Sequence, residues 1–185
     1  MFNKLITISS LFFIFFLNIY ADERQLIVNQ LIGIENITFD FEQNTKNKKE
    51  MGTCILVFNN KLSCDYEDSM QKRLLINDKT LVVQQKRYDK TFFYPISNSP
   101  FVEIFNKSKL INFIKKSNYQ LNDNIELTYV GKNKEQIIIF FEKDSYDLAG
   151  WKVVDQFQNI IYFSIKIKYK NSKINNKIFE IPSIN

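Results

Sequence analysis

Two cysteines are the residues of this chain best placed for covalent chemistry. Cys54 and Cys64 lie on either side of an Asn59-Asn60 turn, in a stretch whose two arms have the pattern of a β-hairpin. If the arms pair, the cysteines face each other, and a disulfide between them requires an oxidising compartment. Two buried free thiols, or a bridge to another chain, are the alternatives. Two cysteines without any histidine make a poor metal site.

The residue types that the chain lacks exclude most kinds of enzyme. It has no histidine, which removes the commonest general base, the commonest metal ligand and every Ser-His or Cys-His nucleophile pair. Its glycines number only four and are too far apart to form a glycine-rich phosphate loop. We therefore expect no enzymatic activity, no cofactor and no metal.

A carboxylate pair, Asp40 and Glu42, is the remaining candidate for acid–base catalysis. It lies in a segment where apolar and polar residues alternate strictly, and Ile37, Phe39 and Phe41 occupy the opposite face. This alternation is typical of a strand with one face in a dry interior and the other in water. It favours a solvent-exposed position for the two carboxylates over a catalytic role.

The N-terminus has the layout of an export signal. A lysine precedes the almost wholly apolar run Leu5–Leu17, which is too short for an ordinary spanning helix, and Ala21 offers a small residue for cleavage. An uncleaved anchor is the alternative. The next residue is Asp22 and not a cysteine, so no lipid anchor is expected. We predict a cleaved signal peptide at 1–21 and a single domain at 22–185.

Short segments with a period of two follow one another along the rest of the chain. About eleven of them, separated by tight turns, predict an antiparallel meander, with a short helix over Arg24–Gly33 in front and a last strand at Ile178–Ile181. A sheet of this length must curl, and its inner face is then filled by side chains, by helices or by a ligand. The many phenylalanines and isoleucines at alternating positions favour an apolar cavity.

A helical segment interrupts the strands near their middle. Ser99-Pro100 has the pattern of a helix start, and Phe101, Ile104 and Phe105 follow with helical spacing. The segment is either a cap on the core or a lid over the cavity. As a lid, it would place these three side chains in the cavity, from which a greasy ligand would displace them.

The hairpin register predicts which side chains face the cavity. With Cys54 opposite Cys64, the turn is a three-residue loop, and alternate residues of both arms share one face. Together with the first strand, this face supplies the residues predicted to bind a ligand in the apolar cavity, Ile37, Phe39, Phe41, Leu56, Phe58, Leu62 and Tyr66.

The charge balance of the chain is mild. The formal net charge is +5 and falls to +4 when Lys4 is removed with the signal, and the lysines are scattered among acidic residues. No basic stripe with interleaved aromatic residues occurs, so we expect no nucleic-acid partner.

A series of weak motifs follows the N-terminal helix. In chain order they are Phe39-Asp40-Phe41-Glu42-Gln43, Gly52-Thr53, Asn77-Asp78-Lys79-Thr80-Leu81, Ser99-Pro100-Phe101, Gly150-Trp151-Lys152-Val153-Val154-Asp155 and Phe179-Glu180-Ile181-Pro182. In this order the motifs resemble the LolA family, the periplasmic outer-membrane lipoprotein carriers, over nearly the whole chain after the signal. The resemblance implies a half-open antiparallel β-barrel of about eleven strands with an N-terminal helix and a helical lid.

The resemblance also implies a function and a set of partners. A member of this family is expected to be a monomeric periplasmic chaperone that binds the acyl chains of lipoproteins. It would take them from an inner-membrane lipoprotein-releasing ABC transporter and deliver them to an outer-membrane lipoprotein receptor.

The chain departs from the family at the hairpin turn. The family often has Arg-Pro there, with the arginine reaching inward to hold the lid closed, whereas Phe58 and Asn59 occupy the matching positions. A phenylalanine side chain donates no hydrogen bond, so this latch is not carried over.

Two other functions fit parts of the pattern. A lipid- or lipoprotein-sensing protein on the same concave sheet is one, although such regulators typically carry an additional domain. A lipid hydrolase would have to use carboxylate or lysine chemistry, for which the sequence has no recognisable spacing.

Overall fold

The computed structural model describes residues 22–96, 104–130, 136–154 and 157–182. Within these ranges the chain forms one antiparallel sheet of eleven strands that does not close into a barrel, together with two α-helices. The predicted mainly β class and the unclosed sheet are thereby confirmed. The strands are β1 (Asn36–Thr45), β2 (Lys48–Val57), β3 (Lys61–Tyr66), β4 (Lys72–Asn77), β5 (Thr80–Gln85), β6 (Lys90–Pro95), β7 (Asn118–Leu121), β8 (Ile125–Val130), β9 (Gln136–Phe141), β10 (Leu148–Val154) and β11 (Ile160–Lys170).

The two α-helices lie at different points in the chain order. Helix α1 (Glu23–Ile32) precedes the sheet and α2 (Lys107–Lys116) separates β6 from β7. Two 3₁₀ helices, Lys86–Tyr88 and Asn176–Phe179, complete the described secondary structure. No helix in the described part of the chain is long and apolar enough to cross a membrane.

The strand order places the first and last strands side by side in the middle of the sheet. The order is β6-β5-β4-β3-β2-β1-β11-β10-β9-β8-β7. Neighbouring strands are consecutive in sequence except at the antiparallel β1–β11 pair. Two meanders are therefore joined along one central seam, and β6 and β7 are the free edges.

The core lies on the concave face of this sheet. Burial alternates along β1, where large apolar side chains face inward and polar ones face outward. Both helices cover the concave face with their buried sides, α1 through Ile27 and Leu31 and α2 through Leu110 and Ile114. Because the helices fill only part of the curl, room remains between them and the strands.

The carboxylate pair of β1 lies on the outer face of the sheet. Asp40 accepts hydrogen bonds from the Lys168 ammonium and the Thr53 hydroxyl, both at 2.8 Å. The bond from Lys168 holds the pKa of Asp40 below its usual value. Glu42 forms an ion pair with Lys49 at 2.8 Å. Each carboxylate thus has its own cation, and the pair is not arranged as an acid and a base acting on one substrate.

One predicted strand is absent from the structure, and one observed strand was not predicted. The strand predicted at Ile178–Ile181 is wrong: this segment contains the end of the 3₁₀ helix, and Phe179 is buried against the outer face of the sheet. The Asn77 side-chain amide donates to the Phe179 carbonyl at 3.2 Å, which fixes the segment there. The eleventh strand is instead β7, whose four residues directly follow α2.

Candidate functional site

A cavity of about 260 Å³ lies over the strands of the concave face, next to Phe105 of the segment that precedes α2. Its walls are mostly apolar, and two sulfur atoms and a few polar groups complete them. The lining residues are Phe39, Gln43, Cys54, Leu62, Cys64, Tyr66, Lys72, Leu74, Ile76, Leu81, Val83, Ile96, Phe105, Trp151, Ile161 and Phe163. Strands from both meanders contribute, so the cavity spans the central seam.

The structure divides the predicted cavity residues into three groups, although all seven are buried. Phe39, Leu62 and Tyr66 line the cavity itself. Ile37 and Phe58 line a second void of about 10 Å³ under α1. Phe41 and Leu56 lie in the same apolar face and support it from within the core. Contact of any of them with an acyl chain stays a prediction.

The segment before α2 reaches into the cavity. Ile104 and Phe105 are helical and buried, at 0% and 3% exposure, and Phe105 lines the cavity. The Phe105 ring meets the Trp151 ring edge-on, with centroids 5.9 Å apart. Phe101, the third predicted lid residue, lies outside the described residues. The helical run ends at Asn106, which is extended and caps the N-terminus of α2 by accepting from the Lys109 amide at 3.1 Å.

Main-chain hydrogen bonds hold this segment to the tip of the β2–β3 hairpin. The Asn60 amide donates to the Phe105 carbonyl at 3.2 Å, and the Lys107 amide donates to the Phe58 carbonyl at 3.1 Å. Asn59 and Asn106 form the isolated antiparallel bridge between these two bonds. We call this contact the backbone latch. It occupies the turn at which the related family often has an arginine.

Lys107→Pro is expected to weaken the backbone latch without disturbing α2. Proline removes the N–H that donates to Phe58, yet Lys107 is the first residue of α2, where proline is favoured, and Asn106 already has the extended conformation (φ −104, ψ 118) that a following proline requires. Loss of one net hydrogen bond of about 1 kcal/mol should speed hydrogen exchange at the Asn60 amide roughly fivefold. NMR-detected exchange measures this rate.

The control for that substitution is Lys107→Ala. Alanine also removes the side-chain bond from the Lys107 ammonium to the Ile32 carbonyl, at 3.4 Å, but it keeps the backbone N–H. Equal exchange at Asn60 in the two variants would show that the latch does not depend on this main-chain bond.

An aromatic row forms the floor of the concave face. Phe41 meets Tyr66 edge-on at 4.8 Å and stacks on Phe163 at 4.8 Å, and Phe163 stacks on Trp151 at 4.7 Å. Trp151 in turn meets Phe105 of the segment before α2. The row of Tyr66, Phe41, Phe163, Trp151 and Phe105 therefore connects β3, β1, β11 and β10 to that segment through ring contacts.

Gly52 makes room for one end of the aromatic row. It pairs with Phe41 on one side and Tyr66 on the other, so that both rings converge over a residue without a side chain. A Cβ at this position would lie 2.2 Å from the Asp65 carbonyl and 2.9 Å from the Phe41 ring. The glycine is therefore required by close approach.

A disulfide between Cys54 and Cys64 lies beside the aromatic row. The strand register is the one predicted, with Cys54 opposite Cys64 and Val57 opposite Lys61. Asn60 closes the three-residue loop with a left-handed φ of 67°. Both cysteines are buried and line the cavity, so the bond forms part of the wall that a ligand would touch.

A polar cluster closes the end of the concave face that lies away from the backbone latch. Glu50 Oε1 accepts from the Lys48 ammonium at 2.6 Å and from the Lys72 ammonium at 2.5 Å. The Tyr66 hydroxyl donates to Gln43 at 3.0 Å, and Lys72 lies 3.6 Å from the centroid of the Tyr66 ring. Burial opposes ionisation of Glu50, but the two lysines outweigh it and hold the pKa of this carboxyl below its usual value. Burial raises the pKa of Tyr66.

The sequence reasoning missed two walls of the cavity. One consists of Leu74 and Val83, which follow directly from the hairpin register, since Cys64 pairs with Leu74 and Leu74 with Val83. Extending the alternation across the next turns would have found them. The other wall, Trp151 and Phe163, depends on the β1–β11 pairing, for which no local signal exists. The described residues contain no cluster of three or more candidate metal ligands.

Comparison with known families gives one match that covers most of the chain. Residues 33–182 match the family model described as outer membrane lipoprotein carrier protein LolA. No curated protein sequence is similar enough to count as a match.

Solved structures share the fold at low sequence identity. An uncharacterized conserved protein from Thermus thermophilus is 6% identical, with a TM-score of 0.52 and coverage of 87% of this chain and 95% of that chain. The MucA/MucB complex of Pseudomonas aeruginosa gives 9% identity, a TM-score of 0.50, and coverage of 88% and 62%. A LolA superfamily protein from Nitrosomonas europaea gives 10% identity, a TM-score of 0.43, and coverage of 87% and 99%.

Proposed function

Because the chain belongs to the family of the outer membrane lipoprotein carrier protein LolA, we propose that it is a periplasmic chaperone for acylated lipoproteins. It takes them from the inner-membrane lipoprotein-releasing ABC transporter, shields their acyl chains, and delivers them to the outer-membrane receptor. In this role it acts as a monomer and catalyses no reaction.

The observation that carries this proposal is the apolar cavity with Phe105 inside it. Phe39, Trp151 and Phe163 offer a greasy wall, and the lid segment occupies the same space that a ligand would need. At about 260 Å³ the cavity is smaller than the ~300 Å³ at which pockets for drug-sized ligands begin. Cargo therefore has to displace the lid segment, and the closed state competes with it.

This competition makes hand-over feasible. Each buried methylene contributes ~0.8 kcal/mol, so one full acyl chain contributes on the order of 10 kcal/mol. Complete burial of three chains would exceed the affinity of any dissociable complex. A carrier that exchanges Phe105 contacts for acyl contacts gains only the difference between the free energies of these two sets of contacts. It can therefore release its cargo to a receptor without ATP.

The disulfide and the N-terminal segment support a periplasmic location. A bond between Cys54 and Cys64 persists in an oxidising compartment such as the periplasm. Residues 1–21 have the layout of a cleaved signal peptide, which would bring the chain there.

Bound cargo tests the proposal directly. The full-length chain is expressed in a cell depleted of the outer-membrane receptor, purified from the periplasm, and its ligands are identified by mass spectrometry. We expect acylated lipoproteins to co-purify in excess over free lipids. Absence of acylated cargo under these conditions would count against a carrier.

The second candidate is a periplasmic lipid- or lipoprotein-sensing protein on the same sheet. It is favoured by the likeness to the MucA/MucB complex, in which a protein of this fold is bound to another protein. The chain spans 62% of that relative's length. A sensor would yield a stable protein partner in the same purification, whereas a carrier yields a mixture of lipoproteins.

A further inference from the structure

The cavity is polar at one end only. Gln43 and Lys72 are the charged or amide side chains of its lining; Gln43 accepts from the Tyr66 hydroxyl, and Lys72 lies over the Tyr66 ring. Along β2 the polar end is at Glu50 and the backbone latch begins after Val57. Seven residues of strand separate them, which corresponds to about 24 Å. The cavity thus lies between the backbone latch at one end and a cluster of polar and charged side chains at the other.

Two lysines of the cluster share one carboxylate, and the Asp68 carboxylate lies next to them, where it accepts from the Lys72 main-chain amide at 2.9 Å. Lys48 and Lys72 share the single carboxylate of Glu50, whose side chain is only 9% exposed, and Lys72 is 18% exposed. A cation in this position has lost much of its hydration, which costs free energy unless other groups replace the water. Glu50 and the Tyr66 ring replace part of it, and a lysine ammonium has three donors to satisfy.

A ligand with an apolar chain and an anionic head fits both parts of the cavity. The chain would lie along the aromatic row, and the head would accept hydrogen bonds from the Lys72 ammonium and the Gln43 amide. Gln43 already accepts from the Tyr66 hydroxyl through its oxygen, which leaves the amide NH₂ group to donate.

We propose that the polar cluster of Gln43, Lys48, Glu50, Tyr66 and Lys72 is a head-group site for an anionic amphiphile. The shared chemistry is a carboxylate or phosphate on a long acyl chain, as in a fatty acid or a single-chain phospholipid. This rests on the proposed function in one respect, namely that the cavity takes acyl chains. It narrows the class of ligand to anionic amphiphiles. It also assigns the ligand an orientation, in which the head lies at β4 and the end of the acyl chain points toward the lid.

Trp151 gives the experiment its signal. It is the one tryptophan of the chain and lines the cavity. The full-length protein is titrated with palmitate, methyl palmitate, lysophosphatidate and a triacylated lipopeptide, each below the concentration at which it aggregates in water, and tryptophan fluorescence is recorded. We expect palmitate to bind about ten- to a hundredfold more tightly than its uncharged methyl ester, because hydrogen bonds to charged groups are stronger than neutral ones. Lysophosphatidate matching palmitate extends the site to phosphates, and a weaker lysophosphatidate restricts it to carboxylates.

Variants assign the preference to Lys72. Lys72→Met should remove the difference between palmitate and its methyl ester, and Lys72→Arg should keep it. Lys168→Met is the matched control, since Lys168 pairs with Asp40 on the outer face. The ratio of the two affinities within each variant is independent of the fraction of protein that is folded.

The outcomes separate this inference from the proposed function. Equal affinity of the wild type for palmitate and methyl palmitate would overturn the head-group site, as would a preference that survives in Lys72→Met. Failure of the lipopeptide to bind, with palmitate still preferred, would count against the carrier and support the head-group site.

Discussion

Replacing both Cys54 and Cys64 by alanine is expected to lower the free energy of unfolding by about 3 kcal/mol. The bond joins residues ten apart in sequence, so the closed loop is short and the chain-entropy contribution is at the lower end of the usual range. Both side chains are almost fully buried at the centre of the concave face, so their loss also removes packing beside the cavity. Equilibrium denaturation in urea measures the change.

The matched control is the wild-type chain with a reductant. Because the bond is buried, a reductant reaches it only through unfolding, so the samples are equilibrated with denaturant and reductant together. Reduction should shift the wild-type midpoint toward that of the double variant and leave the double variant unchanged. A wild-type midpoint that does not move on reduction would show that the bond does not contribute to stability.

Phe105→Ser is expected to make acyl ligands bind more tightly and leave more slowly. Truncating a buried phenylalanine costs about 3–5 kcal/mol of packing, and here part of that loss falls on the closed lid. The closed state competes with cargo for the same space, so its destabilisation by as little as about 1.4 kcal/mol raises the apparent affinity about tenfold. The dissociation rate of a fluorescent triacylated lipopeptide, measured by dilution into unlabelled competitor, tests this.

Phe105→Leu is the control for the lid residue. Leucine keeps most of the apolar contact with Trp151 and should leave the dissociation rate close to that of the wild type. If Phe105→Ser released the lipopeptide at the wild-type rate as well, the segment would be a cap on the core and not a lid.

Local patterns predicted most of the strands but not the central seam between the two meanders. The strict alternation in Ile37–Gln43 and the cysteine pair specify β1, β2, β3 and their register, because a one-residue shift would move every apolar side chain into water. The pairing of β1 with β11 joins the two ends of the chain, and no short-range signal encodes it. The cavity wall at Trp151 and Phe163 follows from that pairing, so it was missed with it.

The wrongly predicted strand at Ile178–Ile181 and the missed strand β7 have a common physical cause. Phe179 and its neighbours alternate like a strand, but they bury one aromatic ring on the outer face and bond to Asn77 instead of to a neighbouring strand. The residues of β7 have only one half-buried side chain, Tyr119, and thus little hydrophobic pattern. In both cases tertiary contacts decided the conformation against a weak local preference.

The departure of the hairpin tip from the related family also has an explanation. Phe58 does not replace an arginine as a donor; its side chain is buried and its carbonyl accepts from Lys107. The absence of an arginine side chain at this turn predicted that the latch is missing. Main-chain hydrogen bonds cannot be read from residue types, so the sequence did not indicate the bonds that replace it. The backbone latch became visible only when the chain path was known.

The central seam imposes an order on folding. Ile37 pairs with Lys170, so half of the hydrogen bonds of β1 form only when the last strand is available. The β2–β3 hairpin needs only its own short segment, and oxidation of Cys54 and Cys64 closes it early. Until β11 is available, the N-terminal meander contains the preformed disulfide, and one edge of β1 remains unpaired. Pairing of β11 with β1 then completes the sheet from its middle outward.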